Sequence, residues 1–275
     1  MQYLLNKKEK KERITMLSCY DYPTTLWAEE ADVDIVLVGD SVGVKMLGYE
    51  NPGQVTMDDM LHHLKAVQRG VKDAYLIADL PISSCMNHER MLEDSRSFID
   101  QGADAVKIET FDIRMVEHLT HNQIDVCADI IYPFFLSRFE ATGPNDVDPL
   151  VEFVQIAIKL QKVGVTMMVL TLVPEEVAKT ITEILEVPTI GIGSGKYTDG
   201  QVLIAVEMLG ICNAMGNGIY NHKYDDFAER GCDAIKRFVS EAAKGEFPRA
   251  ENCKNLEETH YAKFIRRLKE KVKSA

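Results

Sequence analysis

The sequence is poor in several signatures, and each absence removes a class of protein. It holds one tryptophan and six cysteines in 275 residues. The cysteines (Cys19, Cys85, Cys127, Cys212, Cys232 and Cys253) are scattered, and none forms a Cys-x-x-Cys pair. That spacing excludes a zinc ribbon or a disulfide framework, and free thiols fit a reducing compartment. No apolar run approaches the roughly 20 residues that span a bilayer, so no membrane partner is expected. Met1 to Arg13 is rich in Lys and Glu and lacks the apolar core of a signal peptide, which predicts a cytoplasmic protein. Positive charge is in the minority: 31 Lys and Arg stand against 43 Asp and Glu, a net charge of −12. Nothing in that balance neutralises a run of phosphates, so nucleic acid is not an expected partner.

What is present is a repeating alternation. Hydrophobic residues make up 46% of the chain, enough for one sizeable core. Short, near-continuous apolar runs occur at Ile14 to Tyr20, Asp34 to Asp40, Tyr75 to Asp79, Ala105 to Glu109, Asp125 to Asp129, Thr166 to Leu172 and Pro188 to Gly193. An eighth lies within Val202 to Ile211 and is less sharply bounded. Runs of this length suit strands buried on both faces of a parallel sheet. Helical stretches separate them: Pro23 to Ala31, Met57 to Val71, Glu89 to Gln101, Pro149 to Val163 and Glu175 to Leu185. Gly102 and Gly164 follow two of these helices, where a left-handed cap is needed.

Repeated β-α alternation leaves an open doubly wound sheet or a closed barrel. Eight candidate strands, with no Gly-x-Gly-x-x-Gly after the first, favour a (β/α)8 TIM barrel. The expected organisation is a polar arm over residues 1–13, a single-domain barrel over 14–248, and a polar helical tail over 249–275. The mixed-sign run from Lys7 to Arg13 reads as a solvated arm or short helix.

The carboxylates are the most informative feature. The second strand ends in Asp40, the third in Asp79 and the fourth in Glu109. In a barrel these ends converge on one mouth, where active sites lie. Three carboxylates in one pocket repel unless a cation lies between them. A hard divalent ion such as Mg2+ fits oxygen ligands, could hold a 2-oxo acid, and could stabilise an enolate. The alternative is that each carboxylate caps the following helix. Lys107, two residues before Glu109, shares its strand face and is placed to meet these acids or a substrate carboxylate. The glycines of Gly191-Ile-Gly-Ser-Gly195 suit either close ligand approach or tight packing at the rim. Glu175 and Glu176 read as charges at a helix N-terminus.

Several segments together resemble the ketopantoate hydroxymethyltransferase family. They are Ile14-Thr-Met-Leu-Ser-Cys-Tyr-Asp-Tyr-Pro23, Leu37-Val-Gly-Asp-Ser-Val-Gly43, Gln54-Val-Thr-Met-Asp-Asp-Met60 with His62 and His63, and Ala78-Asp-Leu-Pro81. Gly102 to Glu109, Pro188 to Gly195, Asp199 to Val202 and Gly245-Glu-Phe-Pro248 complete the set. The resemblance runs from about residue 13 to about residue 250. It implies a barrel of the phosphoenolpyruvate mutase/isocitrate lyase type. It also implies Mg2+ or another divalent cation, a 2-oxo acid substrate, methylenetetrahydrofolate as cosubstrate, and a homo-oligomer, commonly a decamer. By it, Asp40, Asp79 and Glu109 match the metal positions, while Ser41, Asp79 and Lys107 match positions that hold the 2-oxo acid.

Two departures stand out. Where the family reads Gly-His-Ile-Gly-Leu-Thr-Pro, this chain has Ala128-Asp-Ile-Ile-Tyr-Pro133, which puts Asp129 in place of a substrate-binding histidine. The family's glycine-rich segment is replaced by the bulkier Phe134 to Gly143. Where the family has Leu-Glu-Cys-Val-Pro, whose Glu is its proposed general base, this chain has Leu170-Thr-Leu-Val-Pro174. Thr171 has no pKa suited to proton abstraction and is expected only to touch substrate. Asp129 is the replacement base expected, with Lys107 beside it. Three outcomes stay open at this point: hydroxymethyl transfer with an altered base, a repurposed aldolase, lyase or decarboxylase, and a non-catalytic assembly barrel.

Overall fold

In a computed structural model, residues 1–137, 147–212 and 222–273 are described. Eight strands close into a barrel in sequence order, with every neighbouring pair parallel. They are β1 (Ile14–Ser18), β2 (Ile35–Val38), β3 (Tyr75–Asp79), β4 (Ala105–Glu109), β5 (Val126–Ile131), β6 (Met167–Thr171), β7 (Thr189–Ile192) and β8 (Gly200–Ile204). The expected barrel is therefore present. β8 begins at Gly200, two residues before the range read from sequence. Its bareness explains this: Gly200 contributes no side chain and Gln201 is exposed, so the run lacks the apolar density of the others.

The helices follow the expected order. They are α1 (Gln2–Glu9), α2 (Tyr22–Glu30), α3 (Met57–Gln68), α4 (His88–Asp100), α5 (Ile113–His121), α6 (Tyr132–Leu136), α7 (Asp148–Lys162), α8 (Glu175–Ile184) and α9 (Ala205–Met208), with α10 (Phe227–Lys244) and α11 (Glu258–Lys273) beyond. Gly102 and Gly164 close their helices at φ of +101° and +100°. No helix separates β7 from β8, so that crossover is a seven-residue loop. None of the described helices is long and apolar enough to cross a membrane.

Two layers of apolar side chains follow from the period-2 alternation of the strands. One face of each strand packs outward under the helices. The other fills the barrel with Ile14, Met16, Ile35, Leu37, Ile77, Ala105, Cys127, Met167, Val169 and Ile190. α1 plugs the floor of this interior. Leu4 is fully buried in it, while Lys7 pairs with Asp34 and Lys8 bonds Asp199 at 2.7 Å. The mixed charge run thus begins in a docked helix, because the lower rim of the barrel presents two carboxylates to its lysines.

By internal contacts the chain forms two compact units, Met1–Asp225 and Asp226–Ala275. The barrel with α1 is the first. The second contains α10 and α11, and the division expected at residue 248 falls inside it.

Candidate active site

The inward rows of β3, β4, β5 and β6 run apolar at the floor and become polar at the top. Tyr75 and Ile77 lead to Asp79, Ala105 leads to Lys107 and Glu109, Cys127 leads to Asp129, and Met167 and Val169 lead to Thr171. Register then sets these side chains beside one another: Asp79 lies opposite Lys107, and Glu109 opposite Asp129. Asp40 reaches the same place from the turn after β2, and its backbone N–H donates to Asp79 Oδ2 at 3.4 Å.

Lys107 is the hub. Its ammonium lies 2.8 Å from Asp79 Oδ2, 3.1 Å from Asp129 Oδ2 and 3.3 Å from Glu109 Oε1. Thr171 Oγ1 donates to the other oxygen of Asp129 at 2.7 Å. Asp129 is therefore held at both oxygens by residues from two neighbouring strands. Ser41 and Thr171 line, with Asp40, Asp79, Lys107, Glu109 and Asp129, a cavity of about 160 Å3 at the barrel mouth. A second cavity of about 250 Å3 shares Asp40, Glu109, Asp129 and Ile131, and adds the apolar side chains Leu80, Ile82, Phe111 and Phe134. Of the bulky segment Phe134 to Gly143, residues 138–143 lie outside the described residues.

Electrostatics separate the roles. Burial opposes the charge on Lys107, but the acids around it, Asp79 foremost, outweigh that and hold its pKa well above the usual range. Burial pushes the Asp40 carboxyl up to about 6, against the pull of Lys107. The Asp79 carboxyl is raised for the same reason. Asp129 is raised too: its burial exceeds the opposing effects of Lys107 and Thr171. A raised carboxyl pKa makes a better base than an exposed aspartate, so burial counters the acidity expected beside a lysine.

The capping alternative for the three acids does not hold. α3 is capped by the Thr56 side chain, α4 by Asn87 and α5 by Asp112. Asp40, Asp79 and Glu109 instead bring one oxygen each within 4.8 Å of one another. Two oxygens across a single Mg2+ stand roughly 4 Å apart, so small rotamer changes would close the set. Among the described residues, Asp79 Oδ1 is buried and has no hydrogen-bond partner. A buried carboxylate oxygen without a partner is costly, and a cation between the three acids would satisfy it. The donor set thus fits a hard divalent ion.

The glycine run after β7 behaves as packing. Ser194 Oγ donates to the Leu170 carbonyl at 2.6 Å and accepts from Val173 N–H at 3.0 Å. Gly195 has φ +74°, and a Cβ there would collide with the Glu175 side chain. Glu175 and Glu176 occupy the first turn of α8. Sequence reasoning gave no role to Ser194, whose buried hydroxyl ties β6 to the β7 rim.

Thr171→Val keeps the side-chain shape and removes the donor to Asp129. A hydrogen bond to a charged group is worth about 1.5–3 kcal/mol, and urea unfolding of the variant is expected to show a loss of that size. An unchanged unfolding midpoint would mean the contact contributes nothing.

Comparison with known proteins bears on the family and the fold. The family model described as ketopantoate hydroxymethyltransferase matches residues 1–250. The 3-methyl-2-oxobutanoate hydroxymethyltransferase of Thermotoga maritima is 40% identical over 257 residues, covering 90% of this chain and 94% of that protein. The enzyme of the same name from Syntrophomonas wolfei is 37% identical and covers 93% and 95%. Among solved structures, 2,3-dimethylmalate lyase, a PEP mutase/isocitrate lyase superfamily member, aligns with a TM-score of 0.60 at 12% identity, covering 100% of this chain and 98% of that one. Phosphonopyruvate hydrolase, in complex with oxalate and Mg++, aligns with a TM-score of 0.59 at 13% identity, covering 98% and 96%. These two structural likenesses speak for the fold. The sequence matches extend over nearly the whole chain, and on them this protein is a member of the ketopantoate hydroxymethyltransferase family.

Proposed function

We propose that this protein is an enzyme of aldol-type C–C bond chemistry that transfers a hydroxymethyl group to 3-methyl-2-oxobutanoate. Asp40, Asp79 and Glu109 would hold Mg2+ or another divalent cation. Such a cation would supply Lewis acidity to the 2-oxo acid and so acidify its C3 proton. Lys107 and Ser41 bind the substrate carboxylate, and Thr171 fixes Asp129. Asp129 takes the C3 proton, and the electron pair of that C–H bond forms the new C–C bond to the methylene carbon of the one-carbon donor. Both C–N bonds of that carbon break, and water supplies the hydroxyl. Tetrahydrofolate leaves with its two nitrogens protonated by the C3 proton and a proton of the water. The observation that carries this reading is the cluster itself. A buried lysine within 3.3 Å of three carboxylates, beside an Asp79 oxygen with no partner among the described residues, suits a cation and an anionic substrate together.

Methylenetetrahydrofolate is the one-carbon donor in this proposal. The apolar wall of the larger cavity, with Leu80, Phe111 and Phe134, suits a flat, uncharged ring. Six free thiols support a cytoplasmic setting. A homo-oligomer is supported by α10, and the decamer is the form that the family resemblance implies. Ala228, Cys232, Ile235, Val239 and Ala243 form one apolar stripe on it, and none of its residues is buried in the chain.

The test is to incubate the protein with Mg2+, 3-methyl-2-oxobutanoate and methylenetetrahydrofolate, and to follow the hydroxymethylated 2-oxo acid by mass spectrometry. Product that requires the folate and disappears in Asp40→Ala is expected. Absence of product in a folded, metal-binding protein contradicts the transfer.

A further inference from the structure

The turn that carries Asp40 and Ser41 is braced by a residue that the scheme above does not use. Tyr20 lies two residues beyond β1 and is 1% exposed. Its hydroxyl is 2.8 Å from Ser41 Oγ, and geometry alone allows either atom to donate. Hydrogen counting decides the direction. Among the described residues, Ser41 Oγ is the one hydrogen-bond partner of the buried phenol. If Ser41 donated, the phenolic hydrogen would be buried without an acceptor, which native interiors avoid. If Tyr20 donates, its hydrogen is satisfied and the hydrogen of Ser41 is left over.

Ser41 is half-buried and lines the mouth cavity with Lys107 and the four acids. The acids accept hydrogen bonds when ionised and offer none to an anion. The side chains lining the cavity that carry donors are Lys107, Ser18, Ser41 and Thr171, and Thr171 gives its hydrogen to Asp129, so Ser41 is one of the donors left for an incoming carboxylate. We propose that Tyr20 is a positioning residue for the 2-oxo acid, which orients the Ser41 hydroxyl so that it donates to a substrate carboxylate oxygen. This inference rests on Ser41 binding substrate in the function proposed above.

The surroundings fix Tyr20 in that role. Burial, with the nearby charges of Glu207 and Asp40, holds its phenol well above the ordinary range against the opposing bond to Ser41, so it stays a donor. His63 on α3 lies with Nδ1 2.7 Å from the Tyr20 carbonyl. A carbonyl only accepts, so Nδ1 carries the hydrogen, and α3 is tied to the Tyr20 backbone. On the other side, Lys45 N–H donates to the Ser41 carbonyl at 2.9 Å, and the Lys45 ammonium makes a buried ion pair with Glu207 at the start of α9. The Ser41 turn is therefore anchored to three elements, and the Tyr20 hydroxyl is the contact that acts on the Ser41 side chain itself.

The experiment is a double-mutant cycle of Tyr20→Phe and Ser41→Ala. It is read by calorimetric titration of 3-methyl-2-oxobutanoate into the Mg2+-loaded protein, with Mg2+ affinity measured separately. Each single variant is expected to weaken 2-oxo acid binding roughly 10- to 150-fold, as expected for one hydrogen bond to a charged group. Mg2+ affinity and melting temperature should stay near wild type. The double variant should bind no more weakly than Ser41→Ala alone, because Tyr20 acts through Ser41. Additive losses, or a Tyr20→Phe variant that loses Mg2+ affinity in proportion, would show a merely structural role and overturn the inference. Ser41→Ala effective with Tyr20→Phe silent overturns this inference alone. Ser41→Ala silent overturns the placement of Ser41 at the substrate as well.

Discussion

Lys107→Met is expected to abolish substrate binding and to cost about 3–5 kcal/mol of stability in the metal-free protein, the usual cost of breaking a buried ion-pair cluster from one side. Met has nearly the length of Lys, so little volume is lost and the loss of charge dominates. The variant leaves Asp79, Asp129, Glu109 and Asp40 facing one another without the ammonium that now lies within 3.3 Å of three of them. The destabilisation should depend on pH with a definite sign. Burial already raises Asp40 to about 6 in the wild type, and Asp79 and Asp129 are raised as well. A raised carboxyl pKa means that the folded state holds protons which the unfolded state releases, so stability falls as pH rises through the folded value. The loss in Lys107→Met is therefore largest at pH 8 and shrinks as pH is lowered and the acids, no longer held down by Lys107, take up protons. Urea unfolding in EDTA at several pH values measures this. A loss that stays the same from pH 5 to pH 8 would mean that packing, not charge, holds the site together.

Asp79→Asn should separate function from stability in the opposite sense. Outer-shell partners of metal ligands already matter by roughly 10- to 100-fold, so removing a direct ligand is expected to weaken Mg2+ binding by at least roughly 100-fold. The metal-free variant should nevertheless be as stable as the wild type or more so. A buried carboxyl with a raised pKa is a source of repulsion, and Asn removes the charge while its amide oxygen still accepts from Lys107. Active sites commonly trade stability for function in this way. Titration calorimetry with Mg2+ and thermal unfolding in EDTA, run on the same preparation, give both numbers. Retained Mg2+ affinity would remove Asp79 from the metal set, and a collapse of metal-free stability would contradict the repulsion argument.

Much of the barrel is legible in the sequence because its strands are buried on both faces and read as short apolar runs. The polar ends of the inward rows are legible for the same reason: period-2 alternation alone puts Lys107 and Glu109 on one face. What the sequence hides is lateral. Asp129 and Thr171 read as two separate departures from the family pattern, 42 residues apart. The parallel register of β5 and β6 makes them one hydrogen-bonded pair, so the two changes have a common physical consequence. The Tyr20–Ser41 contact is hidden likewise, since it joins the end of β1 to the turn after β2. α5 is not among the helices read from the sequence, although Ile113, Met115 and Val116 open it; its start is set by the Asp112 side chain accepting from the Arg114 N–H. The Lys- and Glu-rich start reads as a solvated arm or short helix; it is a helix, and what composition does not show is its docking, by Leu4 in the barrel floor and by Lys7 and Lys8 on Asp34 and Asp199 at the rim.

At the centre stands the proposal that these acids and Lys107 form a working site for proton removal from a 2-oxo acid, with Asp129 as the base. Exchange of the C3 proton of 3-methyl-2-oxobutanoate for deuterium, followed by NMR in D2O with Mg2+ and no folate, tests it directly. It isolates proton removal from group transfer. Exchange is predicted in the wild type and none in Asp40→Ala. In Asp129→Asn the rate should fall by roughly 100- to 10,000-fold, the range that general-base catalysis contributes. Exchange in Asp129→Asn at the wild-type rate would place the base elsewhere, and no exchange in the folded, Mg2+-loaded wild type would contradict the proposal as a whole.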